Sequence, residues 1–185
     1  MIFPWQEELW KGLAERLGRL PHGWLFAGPA GIGKRAFAVE FAQALLCTGR
    51  GEVFRPCGRC DGCRWFAAGT HPDFRIVEPE AHQTPDPEAE APAANRKPSK
   101  LIRIEQARAL QDWLAVGAHQ GGWRIAIVQP AEAMNTATAN ALLKTLEEPP
   151  PGTVLVLIAA EPARLLPTLR SRCQALVFPL PPRDA

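Results

Sequence analysis

A chain of 185 residues with 46% hydrophobic and 22% charged residues has the composition of a globular domain with room for a real core. Its net charge of +2 gives no strong pull toward nucleic acid or a membrane surface, so DNA contact is not predicted from charge. No apolar run approaches the roughly 18 residues of a membrane span, and "MIFPWQEELW" carries acids where a secretory leader carries bases, so the cytoplasm is the expected compartment.

In chain order, Leu9, Trp10, Leu13 and Leu17 recur at helical spacing and predict a first helix, broken by "RLGRLPHG". "GWLFAG" reads as a short buried strand feeding a glycine loop. Lys34 to Leu46 predicts a helix with Phe37, Phe41, Ala44 and Leu45 on one face. A cysteine-rich excursion over 47–68 follows, and "DFRIV" is a second strand. Residues 78–94 hold five acids, four prolines and no Lys or Arg. Such a stretch buries too little to order itself, so 78–100 is expected to be a flexible acidic loop, with an acidic recognition segment as the alternative. In "LIRIEQARALQDWL", Ile104, Leu110, Trp113 and Leu114 suit an amphipathic helix, and "RIAIVQ" is a third strand. "NTATANALLKTLEE" predicts a helix capped by Asn135 or Thr136 and stopped by "PPPG". "TVLVLIAA" is a fourth strand, "PARLLPTLRSRC" a short helical connection and "ALVFPL" a fifth strand. Strands alternating with helices give an α/β fold: a parallel five-stranded sheet flanked by helices over 1–180, with 181–185 opening a linker.

"GPAGIGK" matches G-x-x-x-x-G-K between a strand and a helix. The backbone of such a P-loop, here with Gly28, Gly31 and Gly33, cradles phosphates at a helix N-terminus, and Lys34 reaches toward the β and γ phosphates. The next position supplies a hydroxyl to Mg²⁺ in a working loop; here it is Arg35. The apolar run "IAIV" should end in Asp and Glu, but Gln129 and Pro130 follow it. Neither holds Mg²⁺ or orients a water. Glu132 is displaced by two residues and counts for neither part. Hydrolysis is therefore not expected, while ATP or ADP binding without turnover stays open.

Cys57, Cys60 and Cys63 form C-x-x-C-x-x-C, and Cys47 ends the preceding helix. Glycines 58 and 62 allow the tight turns that aim sulfurs inward. Four thiolates suit tetrahedral Zn²⁺, which would pin a loop too small to own a core. An iron–sulfur cluster, or a stand-alone redox module built on one, is the rival, but the fourth cysteine and proline of a ferredoxin run are missing downstream. Cys173 is expected in the core, and His71 in "THPDF" reads as a turn cap or a substitute ligand. Arg172, in "LRSRC", is either a solvated surface residue or an arginine finger for a neighbouring subunit.

Taken together, "PHGWLFAGPAGIGK", "CGRCDGC", "HPDF", "ANALLKTLEEPP" and "LRSRC" resemble the N-terminal AAA+ domain of bacterial clamp-loader subunits, the gamma/tau and delta-prime subunits of DNA polymerase III. The departures at Arg35, Gln129, Pro130, Ala159 and Ala160 are similar to the non-hydrolysing delta-prime type, and the alternative is an active gamma/tau-like ATPase motor. The resemblance implies structural Zn²⁺ on Cys47, Cys57, Cys60 and Cys63, and Arg172 serving an adjacent ATP site in trans. It also implies a hetero-oligomeric ring with gamma/tau and delta subunits, acting on a sliding clamp and primer-template DNA, and further lid and collar domains.

Overall fold

The computed structural model describes residues 2–49, 51, 53–83, 97–119 and 122–182. Helices α1 (Glu7–Ala14), α2 (Lys34–Leu46), α3 (Asp61–Ala67), α4 (Ile104–Ala115), α5 (Thr136–Glu147) and α6 (Pro167–Ser171) surround one sheet. Its strands are β1 (Gly23–Ala27), β2 (Phe74–Val77), β3 (Arg124–Val128), β4 (Thr153–Ala159) and β5 (Gln174–Val177). Their spatial order is β2-β3-β4-β1-β5, and every pairing is parallel. The α/β class with a five-stranded parallel sheet, read from the alternation of elements, is the observed architecture.

Strand side chains alternate between two faces, and both faces are covered. On one, Trp24, Phe26, Ile125, Ile127, Val154 and Val156 meet Trp10 and Leu13 of α1 and Phe37 and Phe41 of α2. On the other, Leu25, Ala126, Val128, Leu155 and Leu157 meet Leu110 and Leu114 of α4, Leu142 and Leu146 of α5 and Leu169 of α6. Every residue of β1, β3 and β4 is buried, which explains their unbroken apolar runs. Asn135 is the cap of α5, its Oδ1 accepting the Thr138 N–H at 2.8 Å.

Two features differ from the sequence reading. The cysteine-rich excursion contains a helix, α3, that its glycine-rich composition hides. The flanks of the expected 78–100 loop are also held. Glu78 is buried, the Ala81 N–H donates to the Ser99 carbonyl at 3.0 Å, and the Ser99 N–H donates to Glu80 Oε2 at 3.1 Å. The acidic stretch 84–96 lies outside the described residues.

The edge strand β2 is tied down by a buried ion pair. Asp73 and Arg124 have side chains only 2% and 6% exposed. Asp73 Oδ1 accepts from Arg124 Nη2 at 3.0 Å and Nε at 3.2 Å, and from the His119 N–H at 2.8 Å. Arg124 Nη1 donates to the Trp113 carbonyl, so the pair links β2, β3 and α4. Removing one partner strands the other's charge away from water. Asp73→Ala is therefore expected to cost about 3–5 kcal/mol of unfolding free energy in a urea titration. A loss below about 1 kcal/mol would show that Arg124 finds water or another acceptor.

Candidate functional site

A cavity of about 250 Å³ opens where β1, β3 and β4 end, the edge at which parallel α/β sheets bind ligands. Gly31, Gly33, Lys34 and Arg35 form one wall, and Gln129, Glu132 and Ala160 form the other. Gly33 caps α2 with φ +86°, a left-handed conformation that suits glycine. A Cβ there would also lie 2.5 Å from the Phe3 ring. Phe3 stacks on Trp5 with ring centroids 4.6 Å apart, and fully buried Gln6 donates to the Ile32 carbonyl at 3.0 Å. The N-terminal segment is thus strapped across the glycine loop.

Both loop cations have partners inside the chain. The Lys34 ammonium, 6% exposed, donates to the Gly28 and Pro29 carbonyls, each at 2.5 Å. Burial lowers its pKa, and the negative charge of Glu132 opposes that shift. Arg35 reads from the sequence as a cation at the magnesium position. Its Nη1 lies 2.5 Å from Glu78 Oε2, on a carboxylate 12% exposed just after β2.

Glu132 requires a correction. Counting from the strand end discounts it, but the 3₁₀ turn Ala131–Ala133 folds it back into the cavity. Its Oε1 accepts the Ala160 N–H at 2.9 Å, while Oε2 is buried with no donor. Glu78 and the strap of Phe3, Trp5 and Gln6 are also functional neighbours that the motifs do not reveal.

The cysteine cluster is compact. The Sγ atoms of Cys47, Cys57, Cys60 and Cys63 all lie within 4.8 Å of one another, with Cys47 and Cys60 3.8 Å apart. A tetrahedral Zn²⁺ with Zn–S of about 2.3 Å needs sulfurs about 3.8 Å apart, so the donor set fits that ion. Backbone N–H groups of Cys57, Cys60 and Cys63 donate to Sγ of Cys47, Cys57 and Cys60 at 3.3–3.4 Å, which favours thiolates. Burial pushes Cys63 up to about 12; Cys60, despite its burial, is drawn down to about 5 by the Cys63 N–H and the Thr48 side chain. Gly62 lies inside α3 rather than in a turn, and a Cβ on it would meet the Leu46 carbonyl at 2.6 Å. His71 is outside the cluster: its Nδ1 accepts the Asp73 N–H at 3.1 Å and caps the turn before β2. Cys173 packs half-buried against the α5–α6 side, away from the other four, its thiol pushed up to about 12 by burial.

Arg172 follows α6 and is not among the residues lining the cavity. Its Nη2 lies 2.6 Å from Glu147 Oε1, and Nη1 donates to the Thr168 carbonyl at 3.3 Å. Its own carbonyl lies 3.1 Å from the Cβ position of Gly23, at the start of β1. The glycine loop leaves the other end of that strand, roughly 16 Å away for five residues.

A sequence profile of the family described as "DNA polymerase III, delta subunit" matches residues 5–182. The chain belongs to this family. Among curated relatives, the delta' subunit of DNA polymerase III from Pseudomonas aeruginosa is 47% identical over 180 residues, covering 97% of this chain and 49% of that protein. The gamma/tau subunit of DNA polymerase III from Mycobacterium bovis is 34% identical over 167 residues, covering 90% of this chain and 26% of that protein. The chain thus spans about half the length of the delta' relative. A DNA polymerase III gamma subunit-related protein from Thermotoga maritima has a similar fold, with TM-score 0.56 and 22% identity over 95% of this chain and 46% of that one. Within this delta'-type member, no helix of the described residues is long and apolar enough to cross a membrane.

Gly33 tests the strap over the loop. Gly33→Ala should cost about 1–2 kcal/mol for the left-handed backbone alone, and more for the clash with Phe3. Chemical denaturation of Gly33→Ala, Phe3→Ala and the double variant should show the two losses to be non-additive, because Phe3→Ala relieves the clash. Strict additivity would place Phe3 away from the loop.

Proposed function

We propose that this chain is the nucleotide-loop domain of a non-hydrolysing clamp-loader subunit, one that completes a neighbour's ATP site instead of running its own. One observation carries the reading. The arginine suited to act as a finger, Arg172, sits at the opposite end of β1 from this chain's own loop, and that loop lacks the parts that hold magnesium. Gln129 and Pro130 follow β3, and Arg35 is engaged by Glu78. An arginine so placed serves phosphates on another subunit. The family membership and the relatives named delta' and gamma/tau support a place in the polymerase III clamp loader. Partners in this reading are gamma/tau and delta subunits in a hetero-oligomeric ring in the cytoplasm, acting on a sliding clamp and primed DNA. The gamma/tau-like motor alternative needs a hydroxyl at position 35 and acids after β3; among the described residues, Glu132 is the one acid that lines the cavity.

Gly28, Gly31, Gly33, Lys34 and Arg35 would hold ATP or ADP without turnover. Lys34 would exchange two carbonyl partners for phosphate oxygens. Cys47, Cys57, Cys60 and Cys63 would hold one structural Zn²⁺, which would fix α3 against the end of α2. The purified chain should carry about one zinc. Cys60→Ser should lose it and loosen residues 47–68 in hydrogen exchange while the sheet stays protected. Iron with sulfide, or no metal, would contradict this.

The isolated chain should show no ATP turnover above background, and Arg35→Thr should not create any, because Gln129 and Pro130 still supply no metal ligand. Turnover by either form, free of contaminating ATPase, would favour the motor reading. In a full-length subunit assembled with its ATPase partners, Arg172→Ala should lower hydrolysis partially, since the other sites keep their own fingers. Arg172→Lys should be nearly as damaging, because an ammonium lacks the planar fork. Normal assembly with an unchanged rate would make Arg172 a surface residue.

A further inference from the structure

The cavity wall opposite the loop is built of acceptors. Glu132 Oε2 and Gln129 Oε1 are both buried without a donor, and both residues line the cavity. Three donors near this wall and the loop are already taken by carboxylates of this chain. The Ala160 N–H, at the end of β4, donates to Glu132 Oε1 at 2.9 Å, and the Glu161 N–H lies 3.4 Å from the same oxygen. Arg35 is held by Glu78 at 2.5 Å. The near wall is different. The N-terminal amides of α2 and the buried Lys34 side chain face the cavity from the glycine loop, and among the described residues Lys34 donates to two loop carbonyls.

A diphosphate seated on the loop amides meets these donors alone. A third phosphate would extend toward the opposite wall, where Gln129 and Glu132 offer two acceptor groups and one negative charge. In a metal-dependent loop the acid after β3 is bridged to the phosphates by Mg²⁺, partly through the hydroxyl that follows the lysine. Here that position is Arg35, so the Glu132 charge is opposed by the Lys34 ammonium across the cavity and not by a metal ion held through that hydroxyl.

We propose that the glycine-loop cavity selects a nucleoside diphosphate over the triphosphate without a divalent cation, the Glu132 carboxylate standing where the terminal phosphate would project. This rests on the reading of the loop as a nucleotide site. Glu132 acts here as an intramolecular anion that fills the γ-phosphate position. The chain so built holds a spent nucleotide through cycles in which its neighbours exchange theirs.

The test is calorimetric titration of the 185-residue chain with ADP and with ATP, magnesium omitted and then added at millimolar concentration. ADP should bind about ten-fold more tightly than ATP, a difference of ~1.4 kcal/mol, and magnesium should change either affinity by less than about two-fold. Glu132→Gln keeps the acceptor for the Ala160 N–H and removes the charge. It should bring ATP to within about two-fold of ADP by tightening ATP, with ADP unchanged. Equal binding of the two nucleotides by the unmodified chain, tighter ATP binding with magnesium, or an unchanged preference in Glu132→Gln would each overturn the proposal while leaving the nucleotide site in place. Absence of binding by every form would overturn both, and would leave the assignment of Arg172 untouched.

Discussion

β1 is bonded to a strand on each side and buried along its whole length, and this fixes the distance between the two chemically informative parts of the chain. Its first residue lies against Arg172, and its last feeds the glycine loop. A five-residue strand in the middle of a packed sheet does not bend, so loop and arginine cannot meet within one chain. Everything functional follows from that separation. The loop must find any ligand on its own side of the sheet, and in the proposed reading the arginine exchanges its Glu147 partner for a phosphate outside the chain. The packing that enforces it is ordinary: aromatic rings from α1 and α2 on one face and leucines from α4, α5 and α6 on the other.

At the loop end, charge balance decides what the cavity accepts. An empty phosphate cradle normally leaves cations in want of an anion. Here the Lys34 ammonium rests on two carbonyls and the Arg35 guanidinium on Glu78. Glu132 adds a carboxylate held by the end of β4. The cavity therefore has little net attraction for a highly charged ligand, and the strap of Phe3, Trp5 and Gln6 stiffens its rim. At the arginine end the pair with Glu147 is half-exposed, the kind of ion pair worth ~0–1 kcal/mol.

The sequence is most legible where periodicity and capping agree. Lys34–Leu46 is a helix because Gly33 opens it and Phe37 and Phe41 repeat on one face, and the structure has those bounds. Asn135 announces α5 in the same way. The strands show as apolar runs because parallel strands are buried on both sides. α3 is hidden because seven residues are too few to carry a helical repeat, and the order comes from the cysteines converging at its start. Glu132 is hidden because linear counting from β3 ignores a turn that reverses the chain. Glu78 lies 43 residues from Arg35, and Glu147 lies 25 from Arg172, so no local motif joins either pair. The cysteine quartet and the glycine loop, whose spacing is itself the chemistry, could be read directly.

In the proposed reading, this chain takes part in ATP hydrolysis only through a neighbour's site. The most direct measurement is the burst of phosphate in the first turnover of a loader assembled from the full-length subunit and its ATPase partners, saturated with ATP and triggered by clamp and primed DNA. The burst should equal the number of ATPase partner subunits in the assembly. One additional phosphate per assembly would mean that this chain's own loop hydrolyses ATP, and would contradict the account.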